Sequence, residues 1–177
     1  MTKKKKSSGA KAIVSVLLLA IVIVSSFVML SRRTKTAVES SAKVLTPVEE
    51  VLARNLDTNY PVTPKELLKY YSEITRCFYS EEYTEEQLER MAKVSRQLLD
   101  DELYLQQTDD DYLNDLKVDI DIFHSNGNVI SSYTVSSAAD VGYYKYEGRD
   151  WAKLNCTYSV RGGGKFTITD EEFLMRK

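Results

Sequence analysis

Residues 151–160, with the sequence WAKLNCTYSV, decide the fold of this chain. Apolar and polar side chains alternate along this stretch, which is the period of a β-strand that buries one face. The alternation predicts that one set of side chains enters the core: Ala152, Leu154, Cys156, Tyr158 and Val160. The other set then points outward: Lys153, Asn155, Thr157, Ser159 and Arg161. We therefore expect an antiparallel sheet with one face covered by other elements.

Three further stretches near this strand are rich in β-branched and aromatic residues. They span residues 129–135, 141–146 and 166–175, and turn residues separate them from their neighbours. The glycines at 162–164 precede Lys165, as in some phosphate-binding loops, but no helix follows them, so we expect a hairpin tip. The sequence thus predicts an antiparallel meander of about four strands.

Helix signals dominate the chain between residues 46 and 127. Thr46 and Thr63 each precede a proline and stand three residues before a glutamate, and Thr84 stands three residues before a glutamine. These are N-cap and capping-box signatures, and apolar residues follow each of them at helical spacing. Because the predicted helices all precede the predicted strands in the sequence, we expect an α+β domain. In such a domain, three to four helices pack on one face of the sheet.

Residues 109–125 allow two interpretations. A helical stripe is formed by Leu113, Leu116, Ile120 and Phe123. From residue 116 to residue 122, however, apolar residues also alternate with charged ones, as in a strand. The pair Asn126 and Gly127 suits either a helix end or a hairpin turn. We prefer the helix because its apolar stripe begins before the alternation does.

Near the N-terminus, the segment from Ala12 to Leu30 carries no charged side chain. As a helix it would span about 28 Å, close to the thickness of a bilayer's hydrocarbon core. Lysines precede it and three basic residues follow it closely, a bias that predicts a cytoplasmic N-terminus. We expect a basic cytoplasmic tail (1–11), a single transmembrane anchor (12–30), a stalk (31–45) and an extracytoplasmic domain (46–177) in a cell membrane. The alternative is a cleaved signal peptide that ends near Ser26.

The charge balance narrows the choice of partner. Residues 36–177 carry 26 acidic and 16 basic side chains, so this part of the chain is acidic. Nucleic acid is an unfavourable partner for such a surface, because neutralisation of phosphates by lysine and arginine supplies most of that affinity. The expected partners are the membrane, through residues 12–30, and an envelope protein.

Few residues suit catalysis or metal binding. His124 is the single histidine, and with Asp121 it would supply a base and its orienting partner in a pocket enzyme; the alternative is an exposed helix end. Cys77 and Cys156 either form one disulfide or remain ordinary core cysteines. The aspartates at 109–111 lack the glycine and the glutamate of a calcium loop, so they are expected to cap a helix. No metal and no cofactor is expected.

Tyrosine is the residue that points to binding. The chain has twelve tyrosines, and Tyr143, Tyr144 and Tyr146 crowd one predicted strand. Adjacent strand residues point to opposite faces, so at least one of these rings should lie away from the core or line a pocket. Amphipathic rings at an open sheet face are common in binding surfaces, and the alternative is a sheet that buries both faces.

The order of helices and strands resembles the NTF2-like fold, in which helices pack into the concavity of a curved antiparallel sheet. The resemblance covers residues 63–177 but lacks that fold's usual closing strand. The segments YYSEITRCFYSEEYT, ISSYTVSSAADV, WAKLNCTYSV and EEFLMRK are also similar to an uncharacterised family of small, N-terminally anchored proteins from Gram-positive gut bacteria. That resemblance implies no activity. We expect a membrane-anchored binding module; the alternative is a small pocket enzyme of NTF2-like type.

Overall fold

The computed structural model describes residues 44–176. This range excludes the predicted tail, the predicted anchor and all but the last two residues of the predicted stalk. These three segments therefore stay predictions, and so does the alternative of a cleaved signal peptide. Among residues 44–176, no helix combines the length and the apolar composition needed to cross a bilayer.

Five α-helices and one short 3-10 helix occupy the described part of the chain. The α-helices are α1 (Pro47–Ala53), α2 (Pro64–Ser80), α3 (Glu85–Arg96), α4 (Asp101–Tyr104) and α5 (Asp109–Ser125). The number exceeds the expected three to four, because a single turn after Asp100 forms the additional helix α4. The side chain of Asp100 caps that turn by accepting a hydrogen bond from the backbone N–H of Glu102.

Helices α1, α2 and α3 begin directly after the threonines that were predicted as their N-caps. The hydroxyls of Thr46, Thr63 and Thr84 each accept a hydrogen bond from the backbone N–H three residues later, over 3.2 Å in each case. Thr108 does the same for α5, where Asp111 donates over 3.1 Å. The helical interpretation of residues 109–125 is therefore confirmed, and the aspartates at its start lie in the first turn.

The four strands form one antiparallel sheet, as expected, but they do not form a meander. They are β1 (Val129–Val135), β2 (Gly142–Tyr146), β3 (Arg149–Gly162) and β4 (Lys165–Arg176). β4 pairs with β3 from residue 151 to residue 162, while β1 pairs with residues 156–161 of β3 and β2 with residues 149–153. β1 and β2 therefore follow one another along the same edge of β3.

The lengths of the strands explain this difference from the meander. β3 has 14 residues, whereas β1 has 7 and β2 has 5, so one edge of β3 accommodates both. Between them, the backbone N–H of Ser136 donates to the carbonyl oxygen of Asn155 over 3.0 Å, and its hydroxyl accepts from the N–H of Asn155. The short 3-10 helix Ala138–Asp140 then leads the chain into β2.

A β-bulge in β1 puts its apolar side chains on one face. The pairing with β3 shifts between Ile130 and Ser132, so Ser131 is the extra residue. Without the shift, Ile130 and Tyr133 would point to opposite faces, because they are three positions apart. With it, both face the core, and so does Val135.

The predicted inward face of β3 is confirmed. Ala152, Leu154, Cys156 and Tyr158 are buried and Val160 is half-buried. This face packs on helix α2, which lies between the sheet and the other helices. One side of α2 meets the sheet through Leu68 and Ser72, and the other meets the remaining helices through residues that include Ile74 and Phe78.

Candidate functional site

Two adjoining cavities form an apolar groove beside the start of α2. The first has a volume of about 340 Å³ and lies between α2, residues 98–103 and the end of β4. The second also measures about 340 Å³ and lies between residues 61–64 and the first residues of β2 and β3. Leu67, Met175 and Arg176 line both cavities, so we treat the two as one site and call it the groove.

Residues from distant parts of the chain supply the groove's walls. The first cavity is lined by Tyr60, Leu68, Tyr71, Leu98, Leu99, Leu103, Phe173 and Leu174. The second is lined by Pro61, Val62, Pro64, Tyr143, Trp151 and Ala152. A concave surface with mostly aliphatic and aromatic walls is typical of a site that takes an apolar group.

Arg176 is the central charged residue of the groove, and its charge is neutralised. Its Nε donates to Oδ2 of Asp100 over 2.6 Å, and its Nη1 donates to Oε1 of Glu102 over 2.7 Å. The guanidinium also lies 5.8 Å from the centre of the Trp151 ring. Hydrogen bonding from Arg176 lowers the pKa of Glu102, so this carboxylate stays charged and paired.

Tyr71 and Asp150 are two other polar residues of the groove, and both have contacts with neighbouring side chains. Tyr71 packs edge-to-face against Phe173, with ring centres 5.8 Å apart. Burial raises the pKa of Tyr71 to about 12, so its hydroxyl keeps its proton at neutral pH. Asp150 lies in an ion pair with Lys145 over 3.3 Å. The groove is therefore better equipped to bind an apolar group than to exchange protons.

The three predicted tyrosines lie on β2, and all three are exposed. Tyr143 is opposite Ala152 on the inner side of the sheet and lines the groove. Tyr144 is opposite Trp151 on the outer side, where the two rings stack with centres 6.3 Å apart. Tyr146 meets the same tryptophan edge-on. Trp151 thus connects the groove to the outer aromatic rings.

The predicted acid–base pair lies elsewhere. Asp121 and His124 are exposed near the end of α5, and neither lines the groove. The Nε2 atom of His124 lies 3.1 Å from the carbonyl oxygen of Tyr79. This is the geometry of an exposed helix end, which was the alternative interpretation of this histidine.

The two cysteines are free thiols in this structure. Both are fully buried, but Cys77 packs among the helices whereas Cys156 packs between α2 and the sheet. In this structure they are core cysteines that belong to different clusters of the core. Burial raises the pKa of Cys77 to about 12, which makes it a poor nucleophile.

A separate cleft of about 690 Å³ lies between α1, α2 and β1, and its rim is mostly charged or polar. Several of these groups already have partners. Arg54 donates to the carbonyl oxygen of Asn59 over 3.0 Å, Glu66 accepts from the N–H of Val62, and Glu73 pairs with Arg76 over 2.7 Å. We favour the groove as the binding site because its walls are more apolar than those of the cleft.

Sequence reasoning missed most of the groove. Trp151, the single tryptophan of the chain and next to the tyrosine-rich strand, was the best available signal. Arg176 is almost at the end of the sequence, and nothing local relates it to Asp100. No group of three or more His, Cys, Asp or Glu residues between positions 44 and 176 is placed to hold a metal ion.

Comparisons with known proteins identify a family but no activity. No curated protein and no solved structure matches the chain significantly. One family model matches all of residues 1–177, and its description assigns no function. The expectation of an uncharacterised family is confirmed to that extent. The chain belongs to the family described as Domain of unknown function (DUF6715).

Proposed function

We propose that this protein is a membrane-anchored, extracytoplasmic binding module, and that its groove receives an apolar or aromatic group of an envelope protein. The observation that carries the proposal is the groove itself. Its walls are apolar, and its charged residues Asp100, Asp150 and Arg176 each lie in an ion pair. A pocket enzyme needs titratable groups that are free to act in one cavity.

The sequence supports the anchored part of this proposal through residues 12–30 and their basic flanks. The position of α2 against the inner face of an antiparallel sheet supports the resemblance to the NTF2-like fold. The small pocket enzyme is the less favoured function, because Asp121 and His124 do not meet in the groove.

A topological reporter tests the anchor. A reporter enzyme fused after Lys177 should be active outside the cytoplasm, and the full chain should stay with the membrane during alkaline extraction. Both results follow from an uncleaved helix at residues 12–30 with basic residues on the cytoplasmic side. A soluble product that begins near Phe27 would instead indicate a cleaved signal peptide.

Partner capture tests the groove. The full chain is crosslinked in its native membranes and recovered, and the yield of crosslinked envelope protein is measured. Trp151→Ala and Tyr143→Ala should each lower that yield roughly tenfold, because large aromatic rings supply much of the energy of an interface. Tyr143 is exposed, so Tyr143→Ala should change the free energy of unfolding by about 0.5 kcal/mol or less.

Two matched controls complete this experiment. Ile122→Ala removes an exposed apolar side chain of α5 outside the groove, and His124→Ala removes the imidazole; both variants should keep normal capture. Equal losses in all four variants would contradict a specific groove. If His124→Ala abolished capture while Trp151→Ala and Tyr143→Ala left it unchanged, the small pocket enzyme would become the better explanation.

A further inference from the structure

Strand β4 has one edge with no partner in the part of the chain from 44 to 176. Its other edge pairs with β3 without a shift from residue 165 to residue 176. Residues 165–172 are all exposed, and they include the large apolar side chains of Phe166 and Ile168, which are 59% and 60% accessible. A long, unbulged and partly apolar edge of this kind is a template for pairing with another strand.

The turn before β4 determines which backbone groups point away from β3. Gly163 and Gly164 both have positive φ angles, 53° and 75°, and they form a two-residue hairpin loop closed by Gly162 and Lys165. The closing residues of such a loop are a hydrogen-bonded pair, and hydrogen-bonded and non-hydrogen-bonded pairs alternate from there. The N–H and C=O groups of Phe166, Ile168 and Asp170 therefore point to the free edge.

The charges of β4 select one way of pairing this edge with its own copy. If Ile168 lies opposite Ile168 of a second chain, the pairing places Lys165 opposite Glu171 twice, once on each side of the two-fold axis. The same alignment places the free backbone N–H and C=O groups of Phe166 opposite those of Asp170 in the second chain. A two-fold axis at residue 170 would instead place two aspartates opposite one another, which is unfavourable.

We propose that two copies of this protein associate through β4, antiparallel and centred on Ile168, to form one continuous sheet across the dimer. Backbone hydrogen bonds from residues 166, 168 and 170 join the copies, and the paired charges of Lys165 and Glu171 set the alignment. The groove lies near the opposite end of β4, at residues 173–176, so this interface is separate from the proposed binding site.

Site-specific crosslinking tests the alignment. The full chain carrying Ile168→Cys is treated in membranes with a short bis-methanethiosulfonate linker, and a crosslinked dimer is expected. Phe166→Cys is the matched control: its two thiols would be separated by four residues along the strands, about 14 Å, beyond the reach of the linker. The parent chain should not react, because Cys77 and Cys156 are buried. Equal crosslinking of both variants, or none with Ile168→Cys, would overturn the proposal.

A charge exchange provides an independent test. Lys165→Glu and Glu171→Lys should each weaken self-association in detergent roughly tenfold, because each places like charges opposite one another at two symmetric positions. The double variant reverses both charges and should recover the dimer. Sedimentation measures the mass of each variant. A monomeric parent chain, or a double variant as weak as the single ones, would contradict this interface.

Discussion

Replacing Arg96 with alanine should lower the free energy of unfolding by about 3 kcal/mol, the largest effect we expect from a single change of a charged residue. Arg96 ends helix α3, and only 3% of its side chain is accessible. Its Nη2 donates to the carbonyl oxygens of Tyr104 and Gln107 over 2.9 and 2.8 Å. Alanine would leave both carbonyl oxygens without this hydrogen-bond donor and would open a cavity beneath residues 104–107.

Three further contacts of Arg96 add to this loss. The guanidinium lies over the rings of Tyr104 and Tyr112, at 4.3 and 5.2 Å from their centres. Its Nε lies 2.6 Å from Oδ1 of Asp109, an ion-pair contact that lacks the angle of a hydrogen bond. Because Asp109 is half exposed, this contact contributes less than a buried ion pair would.

Urea unfolding measures the effect of Arg96→Ala. Arg90→Ala is the matched control, since Arg90 is exposed on the same helix and its loss should change stability by about 0.5 kcal/mol or less. Arg96→Lys should recover only part of the loss, because an ammonium group cannot reproduce the planar fork. Hydrogen exchange should accelerate at residues 104–109. A loss below about 1 kcal/mol, with unchanged exchange, would contradict this role.

Replacing Ser72 with alanine should lower the free energy of unfolding by about 2 kcal/mol. Ser72 is fully buried on the side of α2 that faces the sheet. The hydroxyl of Tyr158 donates to Oγ of Ser72 over 2.9 Å, and the same Oγ lies 3.3 Å from Sγ of Cys156. Without the serine hydroxyl, the buried hydroxyl of Tyr158 would lack its partner, and this is the main cost.

A double-mutant cycle isolates that interaction. Tyr158→Phe should cost only about 1 kcal/mol, because the serine hydroxyl retains its contact with Cys156. The double variant should then be more stable than the sum of the single effects predicts, by about 1 kcal/mol. Ser159→Ala, on the outer side of the same strand, is the control and should have little effect. Strictly additive effects would show that the two hydroxyls do not depend on one another.

Much of the fold follows from local sequence. The capping threonines at 46, 63 and 84 each accept a hydrogen bond from the backbone N–H three residues later. The start of each of these helices can therefore be predicted without knowledge of tertiary contacts. The inward face of β3 follows from its alternation for the same reason. The neighbours of β1 were predicted incorrectly, because pairing depends on which strand is long enough to hold two others on one edge.

The candidate site was predictable only in part. Tyr143 was expected at a binding surface and lines the groove, but Tyr144 and Tyr146 lie on the outer side of the sheet. Trp151 and Arg176 were missed. Arg176 meets Asp100 across 76 positions of sequence, and no local pattern indicates a contact of that range.

The sequence by itself determined the α+β class, the ends of the main helices and the inward side of β3, because hydrogen bonds and periodicities within a few residues determine these features. The anchor at residues 12–30 is also a prediction from sequence alone. Only the tertiary structure decided that Arg96 is buried, although the residues around it in sequence are mostly acidic and exposed. The same holds for the hydrogen bond that joins Ser72 of α2 to the sheet. It also holds for the groove between α2 and the strands. Each of these depends on residues far apart in sequence, and packing alone brings such residues together.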